Sequence, residues 1–100
     1  MIDGFDDIVH APHRLRICAM LADVDQVEFA VLRDGLGVAD SVLSKQLKVL
    51  VDAGYVELQK PTGRGGKVRT WARLTKDGRG AFEGHLAALR RMVESARESS

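Results

Sequence analysis

The chain has 100 residues, which limits it to one small domain, residues 1–100, with a single core. Hydrophobic residues make up 45% and charged residues 29% of the sequence, a balance that excludes disordered and collagen-like proteins. No apolar run approaches the ~18 residues that a membrane-spanning helix requires. The acidic start lacks the pattern of a secretory signal peptide, and the lone Cys18 allows no internal disulfide, so we expect a cytoplasmic protein.

The net charge of +1 conceals a strong charge polarity along the chain. Residues 1–38 contain three basic and seven acidic residues and carry a net charge of −4. Residues 39–80 contain nine basic and four acidic residues and carry +5. Such polarity within one small domain favours a surface that meets a polyanion, although a run of charges is also typical of an ordinary solvated face.

Hydrophobic spacing in the first part of the chain predicts two helices. Pro12 suits the first turn of a helix over about residues 13–22. A short turn at residues 6–10 before this helix is an option. The apolar stripe of this helix is predicted to contain Leu15, Cys18, Ala19 and Ala22, broadened by Ile17 and Leu21. A second helix fits residues 29–36, where Gly37 supplies a left-handed cap.

The third predicted helix, over about residues 40–53, has the clearest signal. Its apolar residues follow the i, i+4, i+7, i+8 spacing of one helical face: Leu43, Leu47, Leu50 and Val51. If that face packs on the first two helices, the opposite side carries Ser41, Lys45 and Lys48, with Val42, Ser44 and Asp52 at its margins. An α-helix fits the major groove of DNA, where small hydroxyl residues permit close approach and lysines reach phosphates or guanine edges.

Two segments of alternating polarity, residues 55–60 and 67–74, predict a β-hairpin around the loop at 61–66. A short additional strand at residues 26–28 is an option. Basic residues cluster towards the tip of this hairpin, the predicted wing of about residues 56–74: Arg64, Lys67 and Arg69, with Lys60 beside them. Because glycines flank Arg64, the backbone can come close to a phosphate or enter the minor groove.

Thr75 is a suitable N-cap for a last helix over about residues 76–97. The apolar residues of this helix recur at steps of four and three, as in paired helices: Phe82, Leu86, Leu89, Val93 and Ala96. A chain of this size has too little core to cover the far end of such a helix. The spacing therefore predicts a homodimer interface, mainly through Leu86–Ala96 and helped by Phe5, Ile8 and Val9. The alternative is that the seam packs on the first helix of its own chain, as we expect for its Phe82 end.

Several segments together resemble the compact winged-helix regulators of the MarR and ArsR groups, over roughly residues 12–89. The resemblance depends on Leu43-Ser44-Lys45, on Gly54-Tyr55-Val56, on Arg69-Thr70 and on Leu74-Thr75 followed by Gly78. It implies a homodimer that binds operator DNA, with the third helix in the major groove and the hairpin as wing. The chain departs from these groups at Ala39, where they have a Ser or Thr cap, and Asp40 is the alternative cap one residue later.

Metal, redox and enzyme functions find little support in the sequence. His10 and His13 straddle Pro12 on different sides of a helix start, His85 stands alone on the last helix, and Cys18 belongs to an apolar stripe. These residues form no ligand set with metal-binding spacing. The sequence contains no phosphate-binding glycine loop between a strand and a helix, and no set of residues that would form a nucleophilic site. We therefore expect no catalytic residue, no metal and no other cofactor.

The sequence thus predicts an α+β winged helix-turn-helix protein. It has a three-helix core, a two- to three-stranded wing hairpin and a long C-terminal dimerisation helix. The predicted function is sequence-specific binding of double-stranded DNA, at a near-palindromic operator, by a homodimeric transcriptional regulator that acts as a repressor. The alternatives are a winged helix used only for protein interaction, and a metal- or redox-responsive sensor of the ArsR type. A small-molecule effector is not identifiable from the sequence.

Overall fold

The computed structural model describes residues 2–60 and 69–99. Within these residues the chain forms an α+β winged helix, as predicted, with the elements α1 (Asp7–His10), α2 (Pro12–Ala22), β1 (Val27–Glu28), α3 (Phe29–Leu36), α4 (Asp40–Asp52), β2 (Val56–Gln59), β3 (Trp71–Leu74) and α5 (Lys76–Glu98).

The ends of the helices follow local chemistry. The Asp6 carboxylate accepts hydrogen bonds from the amides of Ile8 and Val9 and so caps α1. Gly37 ends α3 at φ 69°, a left-handed conformation in which glycine has no side chain to strain. Thr75 caps α5 by accepting from the amide of Gly78. The predictions for Gly37 and Thr75 are thereby confirmed.

The start of α4 differs from the expectation that Asp40 caps it. Ala39 occupies the N-cap position without a side-chain hydrogen bond, and its carbonyl accepts from the amides of Val42 and Leu43. The Asp40 carboxylate accepts instead from the Arg33 guanidinium at 3.0 Å. Since Asp40 already lies in the first turn, its negative charge still favours the positive end of the helix dipole.

The core lies where α2, α3, α4 and the sheet meet the first half of α5. Leu43, Leu47 and Leu50 form the buried face of α4, as the spacing predicted. The other buried apolar residues are Val9, Ile17, Cys18, Leu21, Leu32, Leu36, Val56, Ala72, Leu74, Phe82 and Ala88. These elements hold α4 by one side only.

The buried face of α2 is rotated from the predicted stripe. Ile17, Cys18 and Leu21 are buried, whereas Ala19, expected inside, is exposed. The small Ala19 side chain offers little apolar area to bury. The larger Ile17 and Leu21 are instead fully buried in the core, where α3, α4, α5 and β3 pack around α2.

The sheet is antiparallel, with strand order β1-β3-β2. β3 pairs with both neighbours: Ala72 lies opposite Val27 of β1 and Leu58 of β2. The option of a short first strand is confirmed, while β3 begins only at Trp71, four residues after the predicted start. The predicted loop at 61–66 and the residues up to 68 lie outside the described part of the chain.

A tight junction connects the end of α4 to the start of α5. The Thr75 hydroxyl donates to the Gly54 carbonyl at 2.6 Å, and the Thr75 amide donates to the Tyr55 carbonyl at 3.0 Å. Gly78 then passes so close to Tyr55 that a Cβ atom on residue 78 would lie 2.0 Å from the Tyr55 carbonyl oxygen. The absence of a side chain at Gly78 therefore sets how closely the two helices approach.

We predict opposite effects of alanine at the two glycines of this helix start. Gly78→Ala forces the start of α5 away from the backbone of Tyr55. It should lower the free energy of unfolding by about 1–3 kcal/mol, the range for overpacked sites. Gly80→Ala meets no atom within 4 Å and should be neutral or raise the free energy of unfolding by about 0.5–1 kcal/mol, since alanine is the better helix former. Urea unfolding measures both, and equal midpoints for the two variants would contradict the close approach.

Candidate nucleic-acid interface

The outer face of α4 carries the side chains that the sequence predicts to contact DNA in the major groove. Ser41, Val42, Ser44, Lys45 and Lys48 are all exposed, on the side of the helix opposite the buried leucines. The helix-turn-helix geometry arises because α3 ends at Gly37 and only two residues separate this glycine from α4. The predicted reading residues therefore project together from one face.

The two lysines of this face differ in their electrostatic surroundings. Lys48 forms an ion pair with Asp52 one turn later, with an Nζ–Oδ2 distance of 2.9 Å. Lys45 is exposed and has no ion-pair partner within residues 2–60 and 69–99. The sequence analysis placed Asp52 at the margin of the face but missed this pair, although the i, i+4 spacing of the two residues indicates it.

A second ion-pair group lies where α3 turns into α4. The Arg33 guanidinium donates to the carboxylates of Asp34 and Asp40, each at 3.0 Å. The hydrogen bond to Asp34, followed by the hydrogen bond to Asp40, raises the pKa of Arg33 above its ordinary value. This group links the two helices of the motif, and nothing in the local sequence pattern had indicated it.

The wing is described only at its base. Arg64 and Lys67, the predicted contacts at its tip, fall on residues outside the described ranges. Arg69 is exposed and faces Glu28 of β1, with an Nε–Oε1 distance of 3.9 Å. Between α4 and the strands lies an open cleft of about 490 Å3, whose lining includes Ser44, Lys48 and Lys60. The lysines and the base of the wing thus border one continuous concave surface.

The second half of α5 offers a different surface, an apolar groove. Leu86 and Leu89 are half-buried, and Val93 is 51% exposed. With Arg90, Glu94 and Arg97 they line a groove of about 330 Å3. Every residue from 90 to 99, including Ala96, is exposed, so this end of α5 projects away from the core.

Two of the residues expected at a dimer interface lie elsewhere. Phe82 is buried in the core of its own chain, because the first half of α5 packs on α2 and β3. Val9 is also buried there, while Phe5 and Ile8 are half-buried. The apolar surface that is left for a second copy therefore begins at Leu86 and not at Phe82.

The structure contains two contacts between polar side chains that the sequence did not predict. The Tyr55 hydroxyl donates to Oδ2 of Asp6 at 2.6 Å, which joins the segment that follows α4 to the start of α1. His85, expected to stand alone on the last helix, lies with its Nε2 3.1 Å from Nδ1 of His10. Only the fold could reveal these contacts, since 49 residues separate the first pair and 75 the second.

The candidate metal and redox residues have unreactive surroundings. Among the described residues, no group of three His, Cys, Asp or Glu side chains is arranged to hold a metal ion. Cys18 is buried, and its desolvation raises the pKa of its thiol to about 11, which disfavours the reactive thiolate. Separately, no described helix is long and apolar enough to cross a membrane.

Comparison with known proteins agrees with this geometry. A family model described as a winged helix DNA-binding domain matches residues 13–93. An uncharacterized protein of Methanocaldococcus jannaschii, MJ0432, is 34% identical over 73 residues, which are 73% of this chain and 78% of that protein.

Solved structures share the fold at lower identity. A transcriptional regulator homologue from Pyrococcus horikoshii superposes with a TM-score of 0.81 at 22% identity, covering 89% of this chain and 87% of its own. ZitR from Lactococcus lactis, a zinc-responsive MarR family member, has a TM-score of 0.64 at 18% identity, covering 93% of this chain and 62% of its own.

The fold and the exposed face of α4 thus define a protein of the DNA-binding winged-helix class. The chain belongs to the winged helix DNA-binding domain family, and the solved structures that share its fold include one described as a MarR family member. The resemblance seen in the sequence is confirmed.

The contact between Asp6 and Tyr55 generates a titration prediction. The hydrogen bond to Asp6, followed by burial, raises the pKa of Tyr55 to about 12. Since the unfolded value is ~10, the stability that this contact supplies is complete below about pH 10 and is lost as the pH rises towards 12. Tyr55 is the only tyrosine, so the ultraviolet absorbance of its phenolate should report a midpoint well above that of free tyrosine.

Asp6→Asn is the matched control for this titration. Asparagine remains a good N-cap for α1 but presents no carboxylate to the tyrosine hydroxyl. The midpoint of Tyr55 should therefore fall towards ~10 in this variant. An unchanged midpoint in Asp6→Asn would show that the carboxylate is not the cause of the raised pKa.

Proposed function

We propose that this protein is a cytoplasmic transcriptional regulator that binds double-stranded DNA in a sequence-specific manner, as a homodimer, and represses by occluding a promoter. In this proposal α4 enters the major groove and the wing follows the neighbouring backbone. The observation that carries it is the division of α4 into a fully buried leucine face and an exposed face of serines and lysines.

The residues of α4 have distinct proposed roles. Ser41 and Ser44 are small and allow the helix backbone to approach base edges, to which their hydroxyl groups can donate or accept. Val42 is an exposed aliphatic side chain suited to contact with a thymine methyl group. Lys45 and Lys48 supply positive charge to phosphates or guanine edges.

The ion pair between Lys48 and Asp52 distinguishes the two lysines in this proposal. To reach a phosphate, Lys48 must exchange its contact with Asp52, whereas Lys45 has no described partner to give up. The pair is exposed, and exposed ion pairs contribute ~0–1 kcal/mol, so the exchange is feasible. Lys45 should therefore contribute more to DNA affinity than Lys48.

The wing completes the proposed interface. Arg64 and Lys67 are assigned to phosphates or the minor groove beside the recognition site, on the basis of their charge and the flanking glycines. Arg69 is assigned to the backbone as well, since 66% of its side chain is exposed and its contact with Glu28 is long at 3.9 Å. Lys60, at the base of the wing, lines the concave surface together with Ser44 and Lys48 of α4.

The second copy in the proposed homodimer binds at the groove of α5. Leu86 and Leu89, which are half-buried, and the exposed Val93 leave apolar area open to solvent along the groove, and Ala96 permits close approach of the helices. The rim contains both signs of charge, Arg90 and Glu94, which suits pairing with an identical helix. A two-fold dimer presents two α4 helices to the two halves of a near-palindromic operator.

A metal-responsive function is the second candidate. It is suggested by the structural neighbour ZitR, which is described as zinc-responsive. The described residues of this chain provide no group of three ligands for such a site. The proposal therefore includes neither a metal nor another cofactor, and it assigns no effector.

The DNA proposal predicts that the lysines of α4 outweigh lysines elsewhere. Lys45→Ala should weaken binding of a selected duplex by ~1–3 kcal/mol if the lysine reads a base, or lower the salt slope by about one if it contacts phosphate. Lys48→Ala should have a smaller effect. Lys76→Ala, an exposed lysine at the start of α5, is the charge-matched control and should bind like the wild type.

Selection of bound genomic fragments followed by electrophoretic shifts across salt concentrations provides these measurements. Equal binding by the wild type and the Lys45→Ala/Lys48→Ala double variant at every salt concentration would refute the assignment of α4. No binding of any duplex by the wild type would favour the protein-interaction module.

The dimer proposal predicts that a charge on the α5 groove separates the copies. Val93→Glu should shift the wild-type dimer to monomer at micromolar concentration, because it buries an unpaired carboxylate in an apolar interface. Val31→Glu is the control: Val31 on α3 is 54% exposed, close to the 51% of Val93, but lies outside the groove. Sedimentation equilibrium decides, and a monomeric wild type or two variants that dimerise equally would place the interface elsewhere.

A further inference from the structure

A pair of histidines lies where α1 packs on α5. His85 is fully buried, the one polar side chain in that state among the residues described. Its Nδ1 lies 3.0 Å from the backbone nitrogen of Asp6, and its Nε2 lies 3.1 Å from Nδ1 of His10. The ring of Phe5 covers both histidines, at centroid distances of 4.7 Å from His85 and 4.9 Å from His10.

The hydrogen-bond partners determine where the protons of this pair are. The Asp6 amide is a donor, so Nδ1 of His85 must present a lone pair to it. A neutral imidazole then carries its proton on Nε2, and His85 donates that proton to Nδ1 of His10. Nδ1 of His10 must also be unprotonated, which leaves the proton of His10 on Nε2. The arrangement therefore accommodates two neutral rings and no additional proton at either contact.

An additional proton breaks one of these contacts whichever ring accepts it. On His85 it would occupy Nδ1 and set an N–H against the N–H of Asp6. On His10 it would occupy Nδ1 and set an N–H against the N–H of His85. In both cases two donors face each other at a partly buried contact, which costs a hydrogen bond. On His85, which is fully buried, the proton also places a charge away from water, whereas His10 is exposed.

We propose that the His10–His85 pair is a proton-sensitive latch that fastens α1 to α5 at neutral pH and releases it in mild acid. Nothing in this inference depends on DNA binding. It concerns the attachment of the N-terminal segment to the long helix, and its test uses the protein alone.

The charged groups around the pair come from every neighbouring element. α1 contributes the carboxylates of Asp6 and Asp7, which raise the pKa of His85. Burial is the larger influence and, together with His10, lowers this pKa below its ordinary value. The lowered pKa supports the latch because it keeps His85 neutral near pH 7.

Other titratable and charged groups come from the elements packed against α1 and α5. On α2, Nδ1 of His13 is buried and has no hydrogen-bond partner among the described residues. From α2, Arg14 donates to the Ile8 carbonyl and to Gln46, and Cys18 is held as the neutral thiol. From the segment that follows α4, Tyr55 donates to Asp6. The charged residue of β3, Arg73, is exposed and pairs with Glu57. The Arg91 guanidinium of α5 donates to the Asp3 carbonyl, a second contact between the N-terminal segment and this helix.

The latch reaches α4 through two contacts of α1. Asp6 accepts from Tyr55, in the segment that follows α4, and Arg14 bridges the Ile8 carbonyl to Gln46 on α4 itself. α1 therefore contacts both α5 and α4, and its release weakens the connection between them.

The direction of the pH effect follows from the proton count. The unfolded chain, with an ordinary histidine pKa of ~6.5, binds a proton more readily than the folded chain, in which the pKa of His85 is lowered. The contribution of the pair to stability is therefore complete above about pH 7 and is lost as the pH falls below ~6.5 towards the lowered value.

Urea unfolding at a fixed protein concentration tests this with two single variants. His85→Asn keeps an acceptor for the Asp6 amide but does not titrate, whereas His13→Asn removes the histidine that lies outside the pair. We expect the unfolding equilibrium constant to rise several-fold between about pH 7 and pH 5 in the wild type and in His13→Asn, and to rise clearly less in His85→Asn. An equal rise in the two variants overturns the latch.

Nuclear magnetic resonance of the wild type provides a test even if His85→Asn does not fold. Long-range correlations between the ring nitrogens and the carbon-bound ring protons should show both His85 and His10 as Nε2–H tautomers at neutral pH. As the pH falls, the Asp6 amide should lose protection from exchange together with the change in these ring signals. A proton on Nδ1 of His85 at neutral pH, or an Asp6 amide that stays protected after the ring is doubly protonated, overturns the proposal.

Discussion

The burial of three leucines on one face of α4 is the constraint on which the rest of this structure depends. Each buried leucine contributes ~1.5–3 kcal/mol, whereas an exposed ion pair such as Lys48–Asp52 contributes ~0–1 kcal/mol. The rotation of α4 about its axis is therefore determined by Leu43, Leu47 and Leu50. The polar residues opposite them face outward as a consequence, and their own contacts are too weak to turn the helix.

Features that depend on residues a few positions apart were predictable from the sequence. The bounds of α3, the left-handed cap at Gly37 and the N-cap at Thr75 all follow from helical spacing and backbone preferences. The face of α4 was predictable for the same reason, since its leucines repeat at i, i+4 and i+7. The burial of α2 was harder: Ala19 fits the period, but only the packed neighbours decide which side of a short amphipathic helix is covered.

Contacts between distant residues could not be predicted, because no local pattern encodes them. Asp40 suits an N-cap by sequence, yet Arg33 binds its carboxylate once the turn brings them together. His10 and His85 carried no signal of their pairing, because 75 positions separate them in the chain. Phe82 fits the heptad spacing of a dimer seam, but its position in the first half of α5 places it in the core. Spacing shows which side of a helix is apolar and not what covers it.

The division of α5 into two halves connects the proposed functions. Its first half is fixed relative to α4 by the Thr75 hydroxyl, by the close approach of Gly78 to Tyr55 and by the contacts of α1. Its second half projects from the core with an apolar groove. In a two-fold dimer joined at that groove, the distance between the two α4 helices is set by the angle between α4 and α5 within each chain. Contacts that hold this angle, although remote from the exposed face of α4, would therefore govern whether both copies fit one operator.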